Sequence, residues 1–209
     1  MRVLGLDLAT NIGFAIGELG GVPRFGGHRL PSTGDDLGRF LAAFEDWLLG
    51  TIRREVPDRV FFEAPILSQS TMTARKLMCL AGETERICHR ERLPVKEVVI
   101  SQAKRFLTGH GYADKVMVVE AAHARGWMVA DDNEADACSI WLFGCATLAP
   151  KLILPAPAIV LPDRVKQARE QKRQRRLAAM SKPKGKRRKA AARRGGDASA
   201  DLFVNGEVA

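Results

Sequence analysis

No window of this 209-residue chain approaches the roughly 18 uninterrupted apolar residues that a bilayer-spanning helix requires, so no membrane partner is expected. The N-terminus, MRVLGLDLAT, is equally short of apolar length. Arg2 and Asp7 interrupt what would have to be the apolar core of a secretory signal, roughly 7–15 residues long, and a cytoplasmic protein is expected. The four cysteines, Cys79, Cys88, Cys138 and Cys145, include no CxxC pair and all lie in segments that read as helix. Neither a zinc knuckle nor a disulfide framework is consistent with that placement, and buried reduced thiols are expected. The chain also has no internal repeat, and residues 164–196 have almost no acid. Residues 164–196 carry 15 Lys or Arg and the single acid Glu170, whereas residues 1–163 hold 18 bases against 20 acids. The formal charge of +9 therefore belongs to the tail.

At 22.9 kDa the chain has room for one well-buried domain and a tail. Residues 1–150 alternate strand and helix signals. RVLGLDL and IGFAIGEL are short apolar runs separated by the turn-prone Thr10 and Asn11, which predicts a hairpin. RFGGHRL is a weaker third strand, and Leu37, Phe40, Leu41, Phe44, Trp47 and Leu48 repeat at helical spacing over about 33–54. RVFFEAP follows as a strand closed by Pro65, then a helix over about 72–90, the strand VKEVVI, and helices near 101–107, 115–125 and 133–148. After Pro150 a Pro/Ala-rich linker, 151–163, leads into a basic tail, 164–209, expected to be disordered apart from a transient helix over 163–180.

Three acids stand where such a fold would gather them. Asp7 ends the first strand, Glu63 ends the fourth directly after the apolar Val60, Phe61 and Phe62, and Asp136 lies on the last helix. If the first and fourth strands are neighbours, Asp7 and Glu63 converge at one edge. Crowded carboxylates raise one another's pKa unless cations neutralise them. Hard oxygen ligands suit magnesium, with manganese as a substitute, and a pair of such ions can activate water for phosphodiester cleavage. Taken singly, each acid could equally be a solvated or capping group at the end of its element.

With GLDLATNIGFA, FFEAP, QAKRFLTGHGYADK and NEADA in this order and at similar spacing, residues 1–148 resemble the RuvC-type Holliday junction resolvases, in a phage- or prophage-like variant, within the RNase H-like nuclease superfamily. The resemblance implies an α/β fold with a five-stranded mixed sheet flanked by helices. It implies a magnesium-dependent endonuclease with Asp7, Glu63 and Asp136 as metal ligands and catalytic residues. Lys104 and Lys115 match family lysines that lie near the scissile phosphate or grip the DNA backbone. A fourth ligand is usual three residues before the last aspartate, where this chain has Asn133. Asp132 shares a helix face with Asp136 and can replace it, or Asn133 can act through its amide oxygen or a water; Glu134 points about 200° round the helix.

The helix over 72–90 matches the family's dimer helix, and its Met72, Leu77, Met78, Leu80, Ala81 and Ile87 exceed one core-facing stripe. A homodimer acting on a four-way DNA junction by paired nicks is expected. The preceding loop, PILSQSTMTARK, would sit at the crossover but lacks an aromatic wedge. The alternative to an enzyme is a non-catalytic nucleic-acid-binding protein that keeps the fold and uses the tail. An actin-like kinase would need two such domains.

Overall fold

A computed structural model describes residues 1–66, 71–151, 153 and 163–180. The chain divides into two units, Met1–Val160 and Leu161–Ala209. The first contains strands β1 (Arg2–Asp7), β2 (Asn11–Glu18), β3 (Arg24–Arg29), β4 (Arg59–Glu63) and β5 (Val95–Val98). Its helices are α1 (Leu37–Glu55), α2 (Thr71–Arg90), α3 (Ile100–Thr108), α4 (Lys115–Ala124) and α5 (Asp132–Leu148). The strands form one mixed sheet in the order β3-β2-β1-β4-β5. β1, β2 and β3 run antiparallel as a meander, while β4 and β5 add in parallel beyond β1. The expected five-stranded sheet is present, with the first and fourth strands adjacent.

Side chains alternate across a strand with period two, and that alternation sorts the core. Leu4 and Leu6 of β1 and Val60 and Phe62 of β4 join Phe40, Phe44 and Leu48 of α1 and Leu80 and Ile87 of α2 in one apolar layer. The intervening residues face α5. Gly5 lies under the backbone of Ala137 and Trp141, and Phe61 lies under Gly144. Asp7 and Glu63 continue those two rows by one step each, since Leu6 is opposite Phe62 in the parallel register. Both strand-terminal acids therefore point to the α5 side of the sheet.

Helix ends follow local chemistry. The carboxylate of Asp36 accepts the Arg39 N–H at 2.9 Å and starts α1 three residues after the predicted start at Thr33. Val56 ends α1 in the left-handed region at φ 47°, its N–H donating to the Ile52 carbonyl at 2.8 Å. Glu55, only 6% exposed, is held by Arg2 at 2.9 Å, by Arg54 at 3.0 Å and by Arg24. A buried carboxylate is tolerated only when so paired, and this one ties β1, β3 and α1 together. Three of the four cysteines are buried and all are free thiols, as their helical placement predicts.

In the second unit, α6 (Asp163–Met180) is the segment whose composition allows a transient helix. It is rich in Arg, Gln, Ala and Lys, all strong helix formers. Pairs at i,i+3 spacing, Asp163 with Lys166 at 3.0 Å and Glu170 with Arg173 at 3.6 Å, line its surface. The expectations for most of the linker and for the tail after Met180 fall outside the described residues.

The contact between α5 and the sheet leaves no space for side chains. A Cβ on Gly13 would lie 2.0 Å from the Asn133 carbonyl oxygen, and one on Gly5 would lie 2.7 Å from the Trp141 nitrogen. Gly13→Ala should destabilise the protein by at least about 3 kcal/mol, because rigid backbone must move to admit the methyl group. Gly50→Ala, in the interior of α1 with nothing within 4 Å, should instead stabilise by about 0.5–1 kcal/mol. Urea unfolding of the two variants checks both signs.

Candidate active site

Asp7 is the last residue of β1 and is 7% exposed. Glu63, the last residue of β4, is half-buried beside it and hydrogen-bonds to it. Asp136 reaches the same place from α5, one residue before Ala137, whose carbonyl rests on Gly5. The Nζ of Lys104, on α3, lies 3.0 Å from Asp136 Oδ2, and both side chains are 16% exposed. Lys115 opens α4 and pairs its ammonium with Asp132 on the first turn of α5. These residues and Asn133 line one cavity of about 540 Å³, so the structure brings together all seven side chains singled out in the sequence.

The local sequence explains how α5 presents its acids. Asp131 caps the helix by accepting the Glu134 N–H at 2.9 Å, and Glu134 accepts the Ala130 N–H at 2.7 Å. The arrangement is a variant of the capping box in which Glu134 reaches the N–H of the residue before the cap instead of the cap's own. It assigns Glu134 to the helix end, on the side away from Asp136 expected from helical spacing. The D-x-x-E spacing just ahead of an apolar run is the signal for it, although the sequence reading used only the angular position of Glu134. Lys76 also lines the cavity, its ammonium 5.0 Å above the Phe40 ring, and nothing in the sequence marked it.

Burial dominates the electrostatics. It pushes the Asp7 carboxyl well above its ordinary range, the hydrogen bond to Glu63 and the charges of Glu63 and Asp136 push it further, and Lys104 opposes them. Burial likewise raises Asp136 to about 6 against the pull of Lys104. Asp132 moves the other way: its hydrogen bond with Lys115 lowers its pKa and raises that of Lys115. One oxygen, Asp136 Oδ1, is buried without any hydrogen-bond partner.

Among the described residues, no three acidic, histidine or cysteine side chains are already gathered as a cation cage. In this arrangement the Asp7–Glu63 hydrogen bond and the Lys104 ammonium offset the carboxylate charge instead. The donor set nevertheless fits a hard divalent cation. The described residues lining the cavity supply carboxylates, one amide and two hydroxyls, with no thiolate or imidazole. The orphaned Asp136 oxygen is an acceptor that such an ion would satisfy.

No family model and no curated protein matches the sequence. Solved structures do. RuvC of Thermus thermophilus aligns over 75% of this chain and 100% of its own length, at 21% identity and a TM-score of 0.58. The same protein in complex with Holliday junction substrate aligns over 75% and 99%, at 22% identity and a TM-score of 0.62. The yeast mitochondrial Holliday junction resolvase Ydc2 aligns over 72% and 81%, at 13% identity and a TM-score of 0.54.

In chelator, the raised carboxyls should make the protein less stable as pH rises. Asp136 and Asp7 bind protons more tightly folded than unfolded, so their contribution is fully present below about pH 4 and is lost at higher pH, that of Asp136 as pH climbs through about 6. At 1.36 kcal/mol per unit, Asp136 alone accounts for roughly 2–3 kcal/mol of that loss. Asp132, whose pKa is depressed, loses its contribution only on acidification below about pH 4. Thermal melts in EDTA between pH 4 and pH 7.5 should therefore fall with pH, and fall less for Asp136→Asn; a flat wild-type profile would contradict this electrostatic picture. The described part of the chain, with its five-stranded mixed sheet and flanking helices, has the RNase H-like fold of the RuvC-type resolvases.

Proposed function

We propose that this protein is a divalent-metal-dependent endonuclease that cuts branched DNA, resolving four-way junctions by paired nicks. The observation that carries the reading is the convergence of Asp7, Glu63 and Asp136 from β1, β4 and α5 in one cavity with two lysines. It occurs in a fold shared with proteins solved as Holliday junction resolvases. In this reading Asp7, Glu63 and Asp136 hold magnesium, for which manganese can substitute. The bound ion would supply a nucleophilic water near neutral pH and charge stabilisation at the leaving oxygen.

The chain's own residues do the rest. Lys104 balances the buried Asp136 when no cation is bound and is placed to meet a phosphate oxygen when one is. Lys115, three-quarters exposed, offers its ammonium to the DNA backbone while Asp132 orients it. That engagement favours Asn133, through its neutral amide oxygen, as the remaining ligand, with Asp132 as the alternative. Symmetric cutting calls for two active sites related by a two-fold axis. α2 buries Leu80, Ala81 and Ile87 in the core but leaves Met72 37% and Met78 51% exposed, which supports a homodimer through this helix. The basic run of residues 164–196 would add sequence-independent attraction to phosphate. The division into a nuclease domain over 1–150, a linker and a basic tail belongs to this proposal, as does the DNA's origin in a recombination junction, a replication fork or a phage genome.

The test is cleavage of a mobile four-way junction beside fork, flap and linear duplex, with magnesium and with EDTA. Wild type should nick the junction in opposed strands only with the metal. Asp7→Asn should lose at least about 100-fold in rate, the upper end of what even a ligand's outer partners contribute, while binding the junction within a few-fold of wild type. Magnesium-dependent cutting by Asp7→Asn would refute the site. Junction binding by wild type with no cutting under any metal would favour the binding-only alternative.

A further inference from the structure

Tyr112, the sole tyrosine of the chain, is 92% exposed, more than any other large apolar or aromatic residue described. It occupies the turn that joins the two cavity lysines, Lys104 on α3 and Lys115 at the start of α4. We infer that Tyr112 is a base-stacking residue of the DNA-binding surface, receiving an unpaired or unstacked nucleobase next to the cleavage site. This deepens the nuclease reading and rests on it.

Three observations carry the inference. First, the turn is tied down by hydrogen bonds at both ends. Gly109 closes α3 at φ 78° with its N–H donating to the Arg105 carbonyl at 2.8 Å. The Thr108 hydroxyl donates to the Lys104 carbonyl at 2.7 Å and accepts the His110 N–H at 3.0 Å. Ala113, 9% exposed, donates to the His110 carbonyl at 3.2 Å, and the Asp114 carboxylate caps α4 through the Met117 N–H at 3.1 Å. An aromatic ring held out on so constrained a backbone loses little entropy on binding.

Second, position and charge suit nucleic acid. Tyr112 is three residues from Lys115, so their Cα atoms are at most about 11 Å apart, a span of one or two nucleotides. The Arg105 guanidinium lies against Gly111, the residue before Tyr112, Lys115 follows Tyr112 by three residues, and Asp114 caps α4. A stacking ring between phosphate-attracting side chains is how strand-binding proteins hold unpaired bases.

Third, among the described residues that line the cavity no aromatic ring is exposed. Phe40, the aromatic residue lining the cavity, is 1% exposed and covered by the Lys76 ammonium. The segment before α2, Leu67-Ser68-Gln69-Ser70, contains none.

Full-length protein with calcium in place of magnesium should be bound to junctions carrying 2-aminopurine at single positions within three nucleotides of the branch. Wild type should quench the probe at one position, and 5-iododeoxyuridine placed there should photocrosslink to Tyr112. Tyr112→Ala should abolish the quench and weaken junction binding about 5- to 10-fold, the low end of the alanine-substitution range for base stacking. Its melting temperature should not change, because the ring is exposed. Tyr112→Phe should retain both properties and Tyr112→Leu neither. Unaltered quenching, affinity and cut positions in Tyr112→Ala, or retention by Tyr112→Leu, would overturn the stacking role while leaving the nuclease reading intact. If wild type neither binds nor cuts junctions, the nuclease reading itself fails and this inference with it.

Discussion

Everything in the candidate site depends on how closely the backbone of α5 approaches the sheet. The N-terminal turn of the helix rests on Gly13 of β2 and its middle rests on Gly5 of β1, at distances no side chain could occupy. Gly13 is paired with Asp7 across the antiparallel register, so the same contact that seats Asn133 on β2 sets Asp136 beside the end of β1. Further along, Gly144 admits the ring of Phe61, which leads to Glu63. One helix laid on glycines and one ring thus aligns three acids that are 56 and 73 residues apart in the chain. Interiors packed to crystal-like density transmit such placement with little slack.

That placement is electrostatically unfavourable without cations. Buried carboxylates crowded together either take up protons or attract positive charge, and both responses are present. Asp7 shares a hydrogen bond with Glu63, and Lys104 sits against Asp136, yet Asp136 Oδ1 is still without a partner. In the proposed metal-dependent reading, these protein groups would balance the acids until an ion took their place. The opposite end of the sheet shows the contrast. There Glu55 is buried and fully surrounded by three guanidiniums, and its role is to join elements. Two buried acids with similar burial differ in chemistry because one has its cations built in.

Much of this was legible in the residues. The strands, their approximate ends and the helices follow from apolar spacing two and three-to-four residues apart, since those periods arise from backbone geometry alone. The alternation that turns Leu4 and Leu6 to one face obliges Asp7 to the other, so the side on which the acid emerges is a property of the strand. The placement of Glu134 away from Asp136 likewise comes from helical angle, although its capping partner Asp131 went unread. Helix α1 starting at Leu37 rather than near Thr33 is a smaller miss: the Asp36 cap, a local hydrogen bond, outweighs the turn-prone residues before it.

Other features exist only in three dimensions. The ion pairs Lys104–Asp136 and Lys115–Asp132 join residues 32 and 17 apart, and no spacing rule connects them. Glycine at positions 5 and 13 reads in sequence as a weakened strand and becomes meaningful only once α5 occupies the space. Tyr112 lies within QAKRFLTGHGYADK, but only its exposure and its hydrogen-bonded turn, set in three dimensions, make it stand out. Which residues are strand, helix and acid follows from local periodicity and side-chain chemistry alone. The tertiary structure decided which acids share a cavity, which cations answer them and which aromatic remains in solvent, because burial and long-range contact are set by how the layers pack.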